Sequence, residues 1–514
     1  MSSSERSVSV WEATVPQRTF APLAGDAEAD ACVVGAGIAG MTAAYLLAKA
    51  GRRVIVLDKT SVGGGETGQT TAHLSSALDD YFHVLEKVHG EKGARLAFES
   101  HQAAIEQIGR IVADEGIDCD YVRVDGYWFR APGDGHAPDF LERERDAARR
   151  AGAPVELVER IPGVPFDSGQ ALRIAGQGQF HALKYLSGLA DAIQRLGGRI
   201  HTGNLVTEVE GGPRPTAKGD GFSVAAGAVV VATNPPVHDR FAIHTKQAPY
   251  RTFVIAGRVP AGTVQPALLW DTLEAYHYVR TQPVEGDPSQ AWVLVGGEDV
   301  KQGHADDHER RFASLEAWAR PRFGIRQAEL RWSGMVMEPF DYLAFIGRDP
   351  AGRDNVYVHT GDSGQGMTHG TLGGMLVTDL ILGRPNEWET LYDPSRRTLS
   401  LDSVREFARE NVDVAAQFAK YSPTFRDAGS ADEVAPGTGA VIQRGRHKVA
   451  VYRDEQGVAH EMSAACTHLQ CIVRWNSEEK SWDCPCHGSR FGPTGEVLTG
   501  PAIYPLPRLD GGGA

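Results

Sequence analysis

Two short stretches near the C-terminal end hold the densest chemistry in this chain. Cys466-Thr-His468-Leu-Gln-Cys471 and Cys484-Pro-Cys486-His487 bring together four thiols and two imidazoles. Thiolates and imidazoles are donors for structural zinc and for iron–sulfur centres alike. The spacing favours the second. Cys466-x-His468, fifteen residues, then Cys484-x-x-His487 supplies one thiolate and one imidazole from each of two loops. Two thiolates on one iron and two imidazoles on the other make a ligand set for a two-iron cluster, and structural zinc stays as the alternative. A second chemical signature lies at the front. Gly35-Ala-Gly37-Ile-Ala-Gly40 is a G-x-G-x-x-G turn, whose glycines allow a tight bend, close approach to a pyrophosphate and close helix–strand packing. Asp58, eighteen residues after Gly40, stands where a carboxylate accepts from ribose hydroxyls.

These residues need particular elements to position them. The apolar run DACVV leads into the glycine turn, MTAAYLLAKAG follows with helical periodicity, and RRVIVLDK is a second buried strand ending at Asp58. This is a βαβ unit, and its helix N-terminus offers free N–H groups to phosphate. GGRIHTGNLVTEVEGG and AGAVVVATN read as further strands of the same sheet, and NVYVHTGDSGQGMTHGTLGGMLVTDLILG as a strand, a glycine-rich turn and a helix. Between them lie a helix-rich block carrying YVRVDGYWFRAP and a block with strand candidates TFVIAGRV, AYHYVRTQ and AWVLVGGED. Ser403 and Glu406 make a capping box for a tether helix running to about Tyr421.

Composition limits the class. The 514 residues are 42% apolar and 23% charged, an ordinary globular balance with room for several domains. A net charge of −14 speaks against a nucleic-acid partner, and no apolar run long enough for an integral membrane segment is present. The N-terminus lacks the pattern of a secretory leader, which gives a cytoplasmic expectation.

The front and middle segments resemble the FAD-dependent D-amino-acid/glycine oxidase-like family. That resemblance implies FAD, with contacts at Gly35, Gly37, Gly40, Asp58, Lys59, Gly68, Thr70, Thr71, the backbone of Val206, Thr233, Gly361, Gly364, Gly366, Met367 and Thr368. The flavin is expected to be non-covalent, because neither Cys32 nor Cys119 sits in a motif like those of members that attach it. The cysteine and histidine loops resemble the cytochrome bc-type Rieske family. This implies a [2Fe-2S] cluster on Cys466, His468, Cys484 and His487, and a loop-bridging disulfide between Cys471 and Cys486. GPTGEVLTGPA resembles that family's third loop, with Pro501 over the cluster. High-potential members carry Ser and Tyr in HGS-x-Y, and here Ser489 is present while Phe491 replaces the tyrosine.

The expected fold is α/β, a Rossmann-type FAD-binding domain interleaved with an α+β substrate domain, followed by an all-β Rieske domain. The expected boundaries are an extension over 1–27 and a flavin unit over 28–385. Within that unit, nucleotide segments fall near 28–80, 166–246 and 333–385, and substrate segments near 81–165 and 247–332. A helical linker over 386–427 and the Rieske domain over 428–514 complete the chain.

GAGIAG is the only G-x-G-x-x-G that an apolar strand run leads into and a helical pattern follows, so a ferredoxin reductase with a second nucleotide fold is disfavoured. His304 and His308 lack the lead-in of a mononuclear iron site and read as a solvated helix start. The resemblance instead implies a dehydrogenase. A small amine or amino acid gives two electrons to FAD, and the cluster passes them to a one-electron acceptor such as a ferredoxin, a cytochrome or a quinone-linked carrier. Reverse flow from a reduced carrier, and a redox module without turnover, are the alternatives. Substrate-pocket candidates are Tyr276, Tyr278 and Arg280 on one strand face, with Arg280 as a carboxylate clamp, together with Trp332; His73 and His369 flank the FAD segments.

Overall fold

A computed structural model describes residues 7–237, 243–397 and 426–509. Its first layer is an eight-stranded sheet. Gly25–Val34 lies at its centre, parallel to Val54–Asp58 on one side and to Phe222–Val231 on the other. Arg199–Thr202 and Val356–Thr360 extend the parallel run outward. Such strands are buried on both faces, which is why they read as near-continuous apolar runs such as VIVL and AVVV. The helices Ile38–Lys49 and Gly366–Ile381 pack against each other beside this sheet. The C-terminal ends of the central strands therefore open onto two glycine-rich helix starts.

The second layer is a nine-stranded sheet. Gln247–Pro260, Gln290–Lys301 and Tyr278–Pro283 run antiparallel side by side, and Leu268–Asp271 joins them to Val122–Phe129 and Ala171–Gln179. Helices Phe82–Glu115, Phe140–Arg150 and His308–Phe323 flank this part. The segment bounds expected from sequence differ from the sheets in two places. Ala171–Gln179 and most of Leu330–Pro339, from Ser333 onward, fall within the expected nucleotide segments but pair in this second sheet. Both strands carry the chain from one sheet to the other, so their apolar pattern is the same whichever sheet they join.

The small third part has a three-stranded sheet, Thr438–Arg444, His447–Arg453 and Ala459–Ser463, and a four-stranded one beginning at Arg474–Asn476. The tether helix expected near 403–421 lies outside the described residues. The described part of the N-terminal extension, from residue 7 onward, packs onto the flavin unit. Ser9 and Glu12 form a capping box on helix Val10–Thr14, and Trp11 is fully buried with its Nε1–H donating to the Thr70 carbonyl at 2.6 Å. Among the described residues, no helix is long and apolar enough to cross a membrane.

Candidate functional site

The glycine turn is a cradle that admits no side chains. Gly35 has φ +106°, and a Cβ there would lie 2.3 Å from the Ala232 carbonyl oxygen. A Cβ on Gly40 would lie 2.0 Å from the Gly35 oxygen, so Gly40 serves helix–strand packing and does not itself face the cavity. The Asp58 carboxylate accepts from the Ala36 and Thr60 N–H groups, each at 2.8 Å, which fixes it at the mouth of the turn.

A cavity of about 1620 Å³ runs from this turn between the two sheets. Gly35, Gly37, Asp58, Lys59, Thr70, Thr71, Val206, Thr233, Gly364, Gly366 and Met367 line it. It exceeds the ~300–1,000 Å³ usual for a small ligand, as a dinucleotide cofactor plus substrate requires. Its residues fit FAD: a side-chain-free cradle at a helix start, an acid beyond the second strand, and a second glycine-rich helix start facing the first.

Four expected contacts stand behind the lining. Gly40 is one, Gly68 faces the Gly63 carbonyl, Gly361 (φ +77°) faces Gln247 and Pro339, and Thr368 Oγ1 pairs with His101 Nδ1 at 2.8 Å. They shape the walls instead of touching the cavity.

Two substrate-pocket expectations are corrected. Arg280 is 1% exposed, and its Nη1 donates to the carbonyls of Thr71, Ala72 and Phe180 at 3.1, 2.9 and 2.9 Å. It ties the Thr70–Thr71 loop to the second sheet and has no donor turned to a substrate carboxylate. Trp332 is fully buried, donates Nε1–H to the Gln69 carbonyl at 2.8 Å and packs in the core. Alternation along a strand tells which face a residue takes, but not what lies opposite it. The strand also begins only at Tyr278, so Tyr276 sits in the preceding loop.

Tyr276 and Tyr278 do line the cavity. Tyr278 shares a hydroxyl–hydroxyl hydrogen bond of 2.7 Å with Thr252. His73 lines it too, with burial pushing its imidazole down to about 3, whereas His369 is buried behind the lining with Nδ1 on the Asp362 carbonyl at 2.8 Å. His308 is buried against Phe253, ring centroids 5.2 Å apart, and is no solvated helix start.

The sequence reading missed a wall of carboxylates around these tyrosines. Asp79 accepts from Tyr276 Oη at 2.9 Å and from Gln365 Nε2 at 2.7 Å. Ser363 Oγ lies 2.7 Å from Glu338 Oε2 and 3.1 Å from Asp80 Oδ2, and Asp299 completes the group. Removal from bulk water pushes Asp79 up to about 7, Glu338 to about 8 and Asp299 to about 6, and raises Asp80 as well. Asp79 presses on the turn before Gly366–Ile381: a Cβ on Gly364 (φ +71°) would lie 2.1 Å from its Oδ2. Adjacent acids at 79 and 80 belong to no motif, and nothing local announces Asp299 and Glu338 beside them.

In the small domain Cys471 and Cys486 are joined, sulfurs 1.99 Å apart. The sulfurs of Cys471, Cys484 and Cys486 lie within 4.8 Å of one another, but the bridge leaves only Cys484 of these three as a thiolate donor. Cys466 and Cys484 are the buried free thiols there, hydrogen-bonded to each other. The rings of His468 and His487 approach to 5.1 Å between centroids. Two thiols beside two imidazoles fit a [2Fe-2S] cluster of mixed ligation. Ser489 hydrogen-bonds Cys466 and accepts from the Ala502 N–H at 3.0 Å, while Phe491 is fully buried.

The small domain docks on the flavin domain through its cluster loops. The His244 ring lies 4.9 Å from that of His468 and 5.9 Å from that of His487. Buried charges cross the contact: Arg251 stands 3.6 Å from Glu479 and 3.9 Å from Asp483, and within the small domain Arg490 stands 3.2 Å from that same Asp483. Lys59, expected at FAD, also donates across the contact to the Leu498 carbonyl.

A Rossmann-type cradle joined to a second sheet over a shared cavity, with a mixed-ligand cluster site docked alongside, defines a flavin-dependent oxidoreductase carrying a Rieske centre. The chain belongs to the FAD dependent oxidoreductase (DAO) family, whose model matches residues 30–380, and residues 425–510 match the Rieske [2Fe-2S] domain. It is 30% identical over 502 residues, 97% of each chain, to YhfW of Bacillus subtilis (strain 168), named for a Rieske 2Fe-2S iron-sulfur protein. It is 26% identical to gamma-glutamylputrescine oxidoreductase of Escherichia coli (strain K12), over 72% of this chain and 89% of that one. Among solved structures, glycine oxidase from Geobacillus kaustophilus superposes with a TM-score of 0.60 at 21% identity, covering 72% of this chain and 99% of that one, a likeness of fold. FAD and a [2Fe-2S] cluster are thus the cofactors of an oxidoreductase family acting on amines and amino acids.

Proposed function

We propose that this chain is a dehydrogenase for a small amine or amino acid, and that electrons leave its flavin through the docked cluster to an external one-electron acceptor. One observation carries the proposal: His468 and His487 pack on His244 of the flavin domain, while Gly500 and Ala502 of the same small domain line the cofactor cavity. When bound, FAD takes a hydride from the carbon bearing the amine, and the cluster takes electrons one at a time.

The chain's own residues then have three tasks. Tyr276, Tyr278 and the acidic wall orient the amine; the two sheets exclude water; and a base removes the ammonium proton, since only the neutral amine releases hydride. Asp79, lifted to about 7 by burial, is matched to accept that proton on a carboxylate oxygen at neutral pH. The FAD and cluster contacts named above are proposed as those that hold the two cofactors. Residues 28–385 and 428–514 are the proposed functional units, joined by 386–427. The cytoplasm is the proposed compartment, with Cys471 and Cys486 buried at 1% and 2% exposure away from reducing thiols.

Anaerobic addition of amines and amino acids to the holoprotein tests the proposal. The flavin absorbance should fall first and the cluster absorbance afterwards. Bleaching by a reduced ferredoxin and by no amine or amino acid would reverse the electron flow and overturn it.

A further inference from the structure

The acidic wall gathers four carboxyl groups with no cation among the described residues paired with them, so burial favours their protonated forms until a cationic ligand enters. Asp79, Asp80, Asp299 and Glu338 all line the cavity, and among the described residues none of them is in an ion pair. The cations that line the same cavity are engaged elsewhere. Lys59 donates to the Leu498 carbonyl, Lys480 to the Gly437 carbonyl, and Arg490 faces Asp483. Arg311, the guanidinium that acts on Asp299, is paired with Asp307 at 2.8 Å and the Glu298 carbonyl at 2.7 Å.

A second observation is independent of charge counting. Thr252 hydrogen-bonds the Asp299 carboxylate, while Asp299 Oδ1 is buried with no donor within hydrogen-bond distance. A buried carboxylate oxygen without a donor is destabilising, and a ligand N–H removes that cost. Tyr276 and Tyr278 stand beside these acids with rings 5.7 Å apart, an aromatic surface suited to an alkylammonium. The residue that would have received a substrate carboxylate, Arg280, is turned to backbone carbonyls.

We propose that the substrate is an oligocationic amine, a diamine or polyamine without a carboxylate, with its reacting nitrogen served by Asp79 and a second ammonium held by Asp299 and Glu338. The inference rests on the amine-oxidising reading above and narrows it. A dication can ionise and pair with two of these acids, a monoamine with one, and an α-amino acid brings a carboxylate that finds no cation among them.

The test uses the holoprotein under anaerobic conditions with four probes: 1,4-diaminobutane, spermidine, butylamine and glycine. The concentration dependence of flavin bleaching gives an apparent affinity for each. The two oligoamines should bind at least about tenfold tighter than butylamine, the size expected of one hydrogen-bonded charge contact, and glycine should be the weakest. Asp299→Asn and Glu338→Gln, each checked for flavin and cluster content, should narrow the diamine-to-monoamine ratio about tenfold. The wild-type panel decides the matter even if a variant fails to load its cofactors. Equal affinity for diamine and monoamine, or bleaching by glycine but not by the oligoamines, overturns this inference and leaves the dehydrogenase reading standing. Bleaching by none of these nor by a wider amine and amino-acid panel overturns both.

Discussion

Single residues here act through what burial does to them. Asp79 and Glu338 are raised to about 7 and about 8 because the cavity walls strip their water, and this has two consequences of opposite sign. As a base, Asp79 works only when ionised, so the flavin-bleaching rate should climb between about pH 6 and 8 and lose that limb in Asp79→Asn. As a folded-state group it binds a proton that the unfolded chain releases near its ordinary value. Its stability contribution is therefore complete below about pH 4 and is lost as pH rises through about 7. Thermal unfolding across pH should show wild type losing stability over that window relative to Asp79→Asn. Arg280 makes the complementary case. Arg280→Met leaves three buried carbonyls short of a donor and should cost about 3–5 kcal/mol, read by denaturant unfolding, with flavin lost from the Thr70–Thr71 side.

Elements explain which features the sequence discloses. The glycine turn and its two strands are one local unit, and the cluster ligands sit within two short loops. Each reports itself because spacing along the chain is spacing in space. The acidic wall has no such economy: Asp79 and Asp80 follow a short strand, Asp299 lies in Gln290–Lys301 and Glu338 in Leu330–Pro339, and only the folding of the second sheet brings them together. The helix Val10–Thr14 is similar. Its capping box is legible, but its target, the Thr70 carbonyl, is 59 residues away. Trp11→Ala should cost about 3–5 kcal/mol through the cavity it leaves and should weaken flavin retention, measured by the bound-flavin ratio after gel filtration. At the cluster, Ser489→Ala should lower the midpoint potential and Phe491→Tyr should raise it in a redox titration. Wild type should fall within the ~−150 to +300 mV range of mixed-ligand clusters.

At the scale of the whole molecule, the cluster loops are docked on the flavin domain at His244, and small-domain residues line the shared cavity. The contact carries Arg251, Glu479, Asp483 and Arg490, with Arg251 only 2% exposed. Buried charges of this kind fix a register more than they add stability, and removing one partner leaves the others uncompensated. Arg251→Leu should slow cluster reduction at least tenfold while leaving flavin bleaching intact, separating transfer between sites from chemistry at one of them. The central claim is that electrons taken from an amine cross from the flavin domain to the docked cluster of the same chain. Freeze-quench electron paramagnetic resonance after anaerobic mixing with amine, repeated over a dilution series, tests it most directly. The account predicts that the reduced-cluster signal follows flavin bleaching with a rate constant independent of protein concentration. A rate proportional to protein concentration, or a cluster that stays oxidised while the flavin is fully bleached, would contradict it.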